Sequence, residues 1–133
     1  SLVEKQVLVR KYKINIVVNL WHTSDAELMM MLTRNGHWKV DCGYIHRYMG
    51  DGKDLSAIQE LEQIADTLVP RIKRGSVVLS HCYGGRNRSG LLNAMIVMRI
   101  LGCDGKIALE YIRQRRPNSL VNETFASWLK EQR

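Results

Sequence analysis

The sequence predicts an α/β fold with a mainly parallel sheet, and three observations predict it. Apolar runs of strand length alternate along the chain with longer stretches of helical period, the pattern that packs helices against a parallel sheet. Cap and turn residues fall between these segments and mark their ends. The 133 residues, 45% of them hydrophobic, suffice for one core and leave no room for a second, so residues 1–133 are expected to form a single domain.

The first element is Lys13-Ile-Asn-Ile-Val-Val-Asn-Leu20, a β-branched run expected as a strand. Ser24-Asp-Ala-Glu27 is a capping box, so a helix is expected from there through Leu32, closed by Asn35-Gly36. Residues 38–46 alternate loosely as another strand. A second capping box, Ser56-Ala-Ile-Gln59, opens a helix that runs toward Pro70. Ser76-Val-Val-Leu-Ser80 reads as a short buried strand. Helices follow at 90–101, 105–115 and 120–131, divided by Gly102-Cys-Asp-Gly105 and by Pro117. Met95, Met98 and Trp128 are expected to fill the core, and the Arg113, Arg115 and Arg116 cluster to form a solvated helix face.

Twenty Lys and Arg against thirteen Asp and Glu give a net charge of +7, a field that attracts polyanions. No apolar stretch has the length of a membrane span, and the amino terminus lacks the charged-then-apolar pattern of a leader, so an intracellular protein, cytoplasmic before nuclear, is expected. The three cysteines and four histidines show no paired spacing such as C-x-x-C or H-x-x-x-H, so neither a metal nor another cofactor is expected. The odd cysteine number suits a reducing compartment. Cys42 and Cys103 are secondary candidates as oxidation partners of Cys82.

The chemistry concentrates in His81-Cys-Tyr-Gly-Gly-Arg-Asn-Arg-Ser-Gly90, between the strand at 76–80 and the helix at 90–101. A phosphate monoester must be held as a dianion, attacked, and relieved of a poor leaving group. Gly84, Gly85 and Gly90 let backbone N–H groups converge on phosphate oxygens, and the following helix adds its positive end. Arg88 offers a planar fork matched to two phosphate oxygens. Cys82, in the same positive field, is expected as a thiolate nucleophile with a lowered pKa. Ser89 can offer its hydroxyl to the sulfur, and His81 is expected to support the loop. A lone buried cysteine ordinarily serves as a small hydrophobe; the glycines, arginine and hydroxyl at fixed offsets argue for chemistry instead.

These residues resemble the signature of the protein tyrosine phosphatase superfamily, His-Cys-x5-Arg-Ser/Thr, and match every fixed position. The rest of the chain looks most like the small dual-specificity phosphatases, including the kinase-associated type that shares HCYGG. The resemblance implies a central, mainly parallel sheet of about four to five strands flanked by helices. It implies hydrolysis through a phosphocysteine, without metal, and a loop in which Tyr83, Gly84, Gly85, Arg86, Asn87 and Arg88 bind substrate. It also implies an upstream carboxylic acid that protonates the leaving oxygen. Asp51, in the glycine-flanked stretch Tyr48-Met-Gly-Asp-Gly-Lys-Asp54, has the family's separation from Cys82; Asp54 is its rival, placed where it can cap the next helix. Asn122 and Phe125 resemble a scaffold element beneath the catalytic loop.

Three functions follow. The first is a phosphatase for phosphotyrosine proteins, extending to phosphoserine and phosphothreonine, because the chain lacks the length for the deep recognition segment of larger enzymes. The second is a phosphatase for a non-protein polyanion, a phosphoinositide or an RNA 5′ end, supported by Arg86, Lys53 and the net charge. The third is a silent phosphate-binding module, which the presence of nucleophile, arginine and acid places last.

Overall fold

The computed structural model describes residues 11–20, 43–47, 56–82 and 87–133. Among them the elements run β1 (Ile16–Asn19), β2 (Gly43–His46), α1 (Ser56–Lys73), β3 (Val78–His81), α2 (Arg88–Leu101), α3 (Gly105–Arg115) and α4 (Glu123–Lys130). The strands form one parallel sheet in the order β2-β1-β3, with Ile16 opposite both Gly43 and Val78, and Asn19 opposite both His46 and His81. The α/β class and the parallel sheet agree with expectation. Three strands lie among the described residues; the helix expected at 24–32 falls outside them.

Every residue of β1 is buried. That is how a parallel strand covered on both faces should look, and it explains the near-continuous apolar run. Ile16 and Val18 join the main core cluster, and Val17, 1% exposed, lies outside that cluster. The Asn15 side chain accepts the N–H of Val77 at 2.9 Å, pinning the start of β1 to the entry of β3.

Helix α1 buries Ala57, Ile58, Leu61, Ile64, Ala65, Leu68 and Val69, a stripe at three- and four-residue spacing. It packs on α2 and continues past Pro70 to Lys73. A proline inside a helix removes one hydrogen bond and crowds the carbonyl four residues back. Pro70 sits in the last turn, where the Arg74 N–H closes the helix on the Pro70 and Arg71 carbonyls. Helix α2 buries Leu91, Leu92, Ala94, Met95 and Ile96 and stops at Gly102, whose φ of +64° is the left-handed cap that glycine adopts without strain.

Asp104 caps α3 by accepting the Ile107 N–H at 2.9 Å. Helix α4 begins at Glu123 rather than at 120, because Leu120 takes a left-handed φ of +57° and Asn122, extended, caps the helix at Thr124 and Phe125. Phe125 and Leu129 are fully buried, and Met98 and Trp128 pack against the same core, as their side chains suggest. Gly105 meets the backbone of Leu129, leaving no space for a Cβ, and donates its N–H to the Gln132 carbonyl at 2.9 Å.

Candidate active site

Cys82 follows β3 directly, at the carboxyl end of the sheet, where ligands of open α/β folds gather. Arg88 and Ser89 open α2 and are almost fully buried, at 3% and 2% exposure. The end of β3 and the start of α2 lie together, so that Cys82 Sγ is 3.5 Å from Ser89 Oγ. The backbone N–H groups of Ser89 and Arg88 also donate to the sulfur.

These contacts act on the Cys82 thiol pKa. Partial burial pushes the thiol pKa up, since a thiolate loses hydration there. The Ser89 hydroxyl and N–H, the Arg88 guanidinium and the Arg88 N–H act the other way and outweigh it, holding the thiol below its ordinary value. The expected direction is therefore found, and it favours the thiolate relative to an ordinary cysteine.

The amino end of α2 is suited to anions in a second respect. Its first turn carries no acidic residue, and Asn87, at the cap position, makes no side-chain cap. Asn87 Oδ1 instead accepts the N–H of Asn122 at 2.9 Å. Proposed from sequence as a substrate-binding residue, Asn87 thus has a side-chain contact with the scaffold. Gly90, buried in the same turn, lies so near Leu120 that a Cβ would stand 3.3 Å from Leu120 Cγ. Ser80, on β3, donates its hydroxyl to Asn93 Oδ1 at 2.9 Å, joining the strand before the loop to the helix after it.

Cys82, Arg88 and Ser89 are thus brought together. The backbone of His81 closes β3 opposite Asn19. Tyr83, Gly84, Gly85 and Arg86, together with Lys53 and both candidate acids Asp51 and Asp54, lie outside the described residues. No group of three or more His, Cys, Asp or Glu side chains is arranged to hold a metal among the described residues. No helix among them is long and apolar enough to cross a membrane.

One residue near the site departs from expectation. Arg115 and Arg116 are exposed, Arg115 stacking 3.4 Å above the centre of the Tyr111 ring, as a solvated face requires. Arg113 is half-buried and donates to two carbonyls, from Nε to Ser119 at 3.2 Å and from Nη2 to Leu120 at 2.9 Å. Spacing gave no signal for this, since Arg113 stands two residues before Arg115 and three before Arg116, the latter on the same helix face.

Comparison with known proteins agrees with this geometry. The sequence profile of the dual specificity phosphatase catalytic domain matches residues 2–133. No curated protein sequence matches the chain. Among solved structures, the PTP-2 phosphatase of Cydia pomonella is 24% identical, with a TM-score of 0.80 over 98% of this chain and 78% of that one. Tk-PTP in its active form is 27% identical, with a TM-score of 0.73 over 98% of this chain and 84% of its own. P. aeruginosa TpbA, solved in complex with pTyr, is 20% identical, with a TM-score of 0.69 over 96% of this chain and 72% of that one. A family match over nearly the whole chain, on a fold that joins a cysteine to an arginine-led helix, makes this chain a member of the dual-specificity phosphatase family, a cysteine-based protein tyrosine/dual-specificity phosphatase.

Proposed function

We propose that the chain hydrolyses phosphate monoesters on phosphotyrosine proteins, and on phosphoserine and phosphothreonine proteins, through a phosphocysteine at Cys82. The observation that carries this reading is Cys82 Sγ placed 3.5 Å from Ser89 Oγ and beside Arg88, contacts that lower the thiol pKa. Arg88 and the backbone of residues 83–87 bind the phosphoryl oxygens, and the guanidinium fork follows them as they become equatorial in the transition state. The Cys82 thiolate attacks phosphorus and the ester P–O bond breaks, its electron pair leaving with the oxygen. Asp51, as the acid, gives that oxygen a proton. Water then attacks the phosphocysteine and passes a proton to the Asp51 carboxylate. The S–P bond breaks, and the Ser89 hydroxyl donates to the thiolate as it re-forms.

Parallel strands support the choice of acid. β2 and β3 run parallel on either side of β1, so both finish at the carboxyl end of the sheet, and the chain leading from His46 toward Asp51 departs from the end where Cys82 sits. The separation of two strands flanking a third is about 9.6 Å, short enough for a loop to bridge. Phosphotyrosine is favoured as substrate because TpbA, with a similar fold, was solved in complex with pTyr.

The second reading, a phosphoinositide or RNA 5′-phosphatase, draws on the net charge of +7 and on Arg86 and Lys53. Phosphate release from a phosphotyrosine peptide, a soluble phosphoinositide and a 5′-phosphorylated RNA, each in chelator at equal concentration and moderate salt, separates the two. Preference for the peptide upholds the first; preference for either polyanion, with a selective loss in Arg86→Ala, upholds the second. Turnover that vanishes in chelator overturns both. Cys82→Ser should bind a phosphopeptide without releasing phosphate, and full activity in that variant would exclude Cys82 as the nucleophile.

A further inference from the structure

We infer that Arg113 is a positioning residue for the catalytic loop, holding the turn at 119–122 as the seat on which the first turn of α2 rests. The inference rests on Cys82 as the reacting thiol but on no choice of substrate.

The seat begins with an unfavourable backbone. Leu120 adopts φ +57°, a region that costs a non-glycine residue of the order of 1 kcal/mol or more unless its surroundings impose it. Arg113 imposes it. Its Nε and Nη2 donate to the consecutive carbonyls of Ser119 and Leu120, at 3.2 and 2.9 Å, a use of the planar fork that a lysine ammonium cannot reproduce.

The seat then touches the loop at two points. The fully buried Leu120 side chain stands beneath Gly90, so near that a Cβ there would meet Leu120 Cγ at 3.3 Å. One step further, the Asn122 N–H donates to Asn87 Oδ1 at 2.9 Å. Asn87 and Gly90 bracket Arg88 and Ser89, whose N–H groups and side chains act on the Cys82 sulfur. A shift of the seat must therefore displace the groups that activate the thiol and hold the phosphoryl oxygens. The asparagine cap on α4 fixes the far side of the turn, so the Arg113 side is where it can yield.

Arg113 also lines an open cleft of about 740 Å³ beside Lys106, Glu110 and Lys130. Truncation of its side chain leaves a space that solvent and a small cation can enter.

The test uses Arg113→Ala, Arg113→Lys and the native chain, with para-nitrophenyl phosphate for turnover and peptide-resolved iodoacetamide alkylation for the Cys82 thiol. In folded Arg113→Ala, kcat should fall about 100-fold, the scale of a small misplacement of catalytic groups, while KM changes less. The pH midpoint of Cys82 alkylation should rise. Arg113→Lys should show a smaller change in the same direction, and added methylguanidinium should restore part of the Arg113→Ala activity. Native kcat and a native alkylation midpoint in folded Arg113→Ala would overturn the inference.

If Arg113→Ala does not fold, Leu120→Gly decides. It keeps the left-handed backbone and removes only the side chain beneath Gly90, and an unmoved midpoint there would overturn the inference equally. A native chain that releases no phosphate, but whose Cys82 midpoint still moves with Arg113, would uphold the inference and refute the proposed function.

Discussion

Asn122 donates its backbone N–H to the side-chain oxygen of Asn87 at 2.9 Å, tying the entry of α4 to the residue before Arg88. Its own side chain caps α4 at Thr124 and Phe125. Two asparagines thus couple a scaffold helix to the catalytic loop. Asn87→Ala should destabilise the fold by about 1 kcal/mol, the net worth of one such bond, as read by urea denaturation. Its activity loss should be similar for phosphopeptide and phosphoinositide, since the contact is with the scaffold. A loss confined to one substrate class would make Asn87 a recognition residue instead.

Ser89→Ala should raise the pH midpoint of Cys82 alkylation and lower kcat by about 10- to 100-fold, the scale of one hydrogen bond to a charged group. Rapid quench should find phosphocysteine accumulating, as the proposed role of the hydroxyl at the departing thiolate requires.

The lowered thiol pKa also has a sign in stability. Between the folded and the unfolded pKa the native state binds fewer protons, so stability rises with pH across that window. The contribution is fully present above the unfolded pKa and is lost as pH falls through the folded one. The Tm difference between the native chain and Cys82→Ala should accordingly move in favour of the native chain as pH rises through that window. A difference independent of pH would show that the thiol is not activated.

Asp51→Asn should remove the basic limb of the kcat–pH profile and slow a substrate with a poor leaving group far more than para-nitrophenyl phosphate. Asp54→Asn should leave that limb in place. The reverse pattern would assign the acid to Asp54.

Gly105→Ala should destabilise the chain by about 1–3 kcal/mol, because a Cβ there runs into the Leu129 carbonyl and two backbones must part. A Tm scan checks it, and a neutral result would mean that α3 and α4 separate more readily than their shared hydrogen bond suggests.

The meeting of Cys82 with Arg88 and Ser89 was legible in the sequence because it is local. Cys82, Arg88 and Ser89 stand at fixed offsets between a strand and a helix, and offsets survive without coordinates. Helix α3 was legible at both ends, 105 and 115, from the break at Gly102-Cys-Asp-Gly105 and the following Pro117. The start of α4 was not. Its three-residue delay comes from the left-handed turn at Leu120, which nothing in the identity of a leucine signals. The end of α1 was hidden by Pro70, which marks a stop in most helices and here sits in the final turn. Arg113 was unreadable for a tertiary reason, since its partners are carbonyls, and every residue type carries one.

The first turn of α2 has a consequence for the reaction cycle. Asp104 closes the amino end of α3 and Asn122 that of α4, each with a side-chain oxygen. At α2 the N–H groups of Arg88 and Ser89 are received by the Cys82 sulfur, so the nucleophile is itself the helix's cap. In the proposed mechanism sulfur ceases to be an anion when it bonds to phosphorus, and the phosphoryl oxygens would take over the same N–H groups. Capping would then pass from sulfur to substrate and back with every turnover, so that α2 would keep an anion at its end throughout and need not fray while the chemistry proceeds.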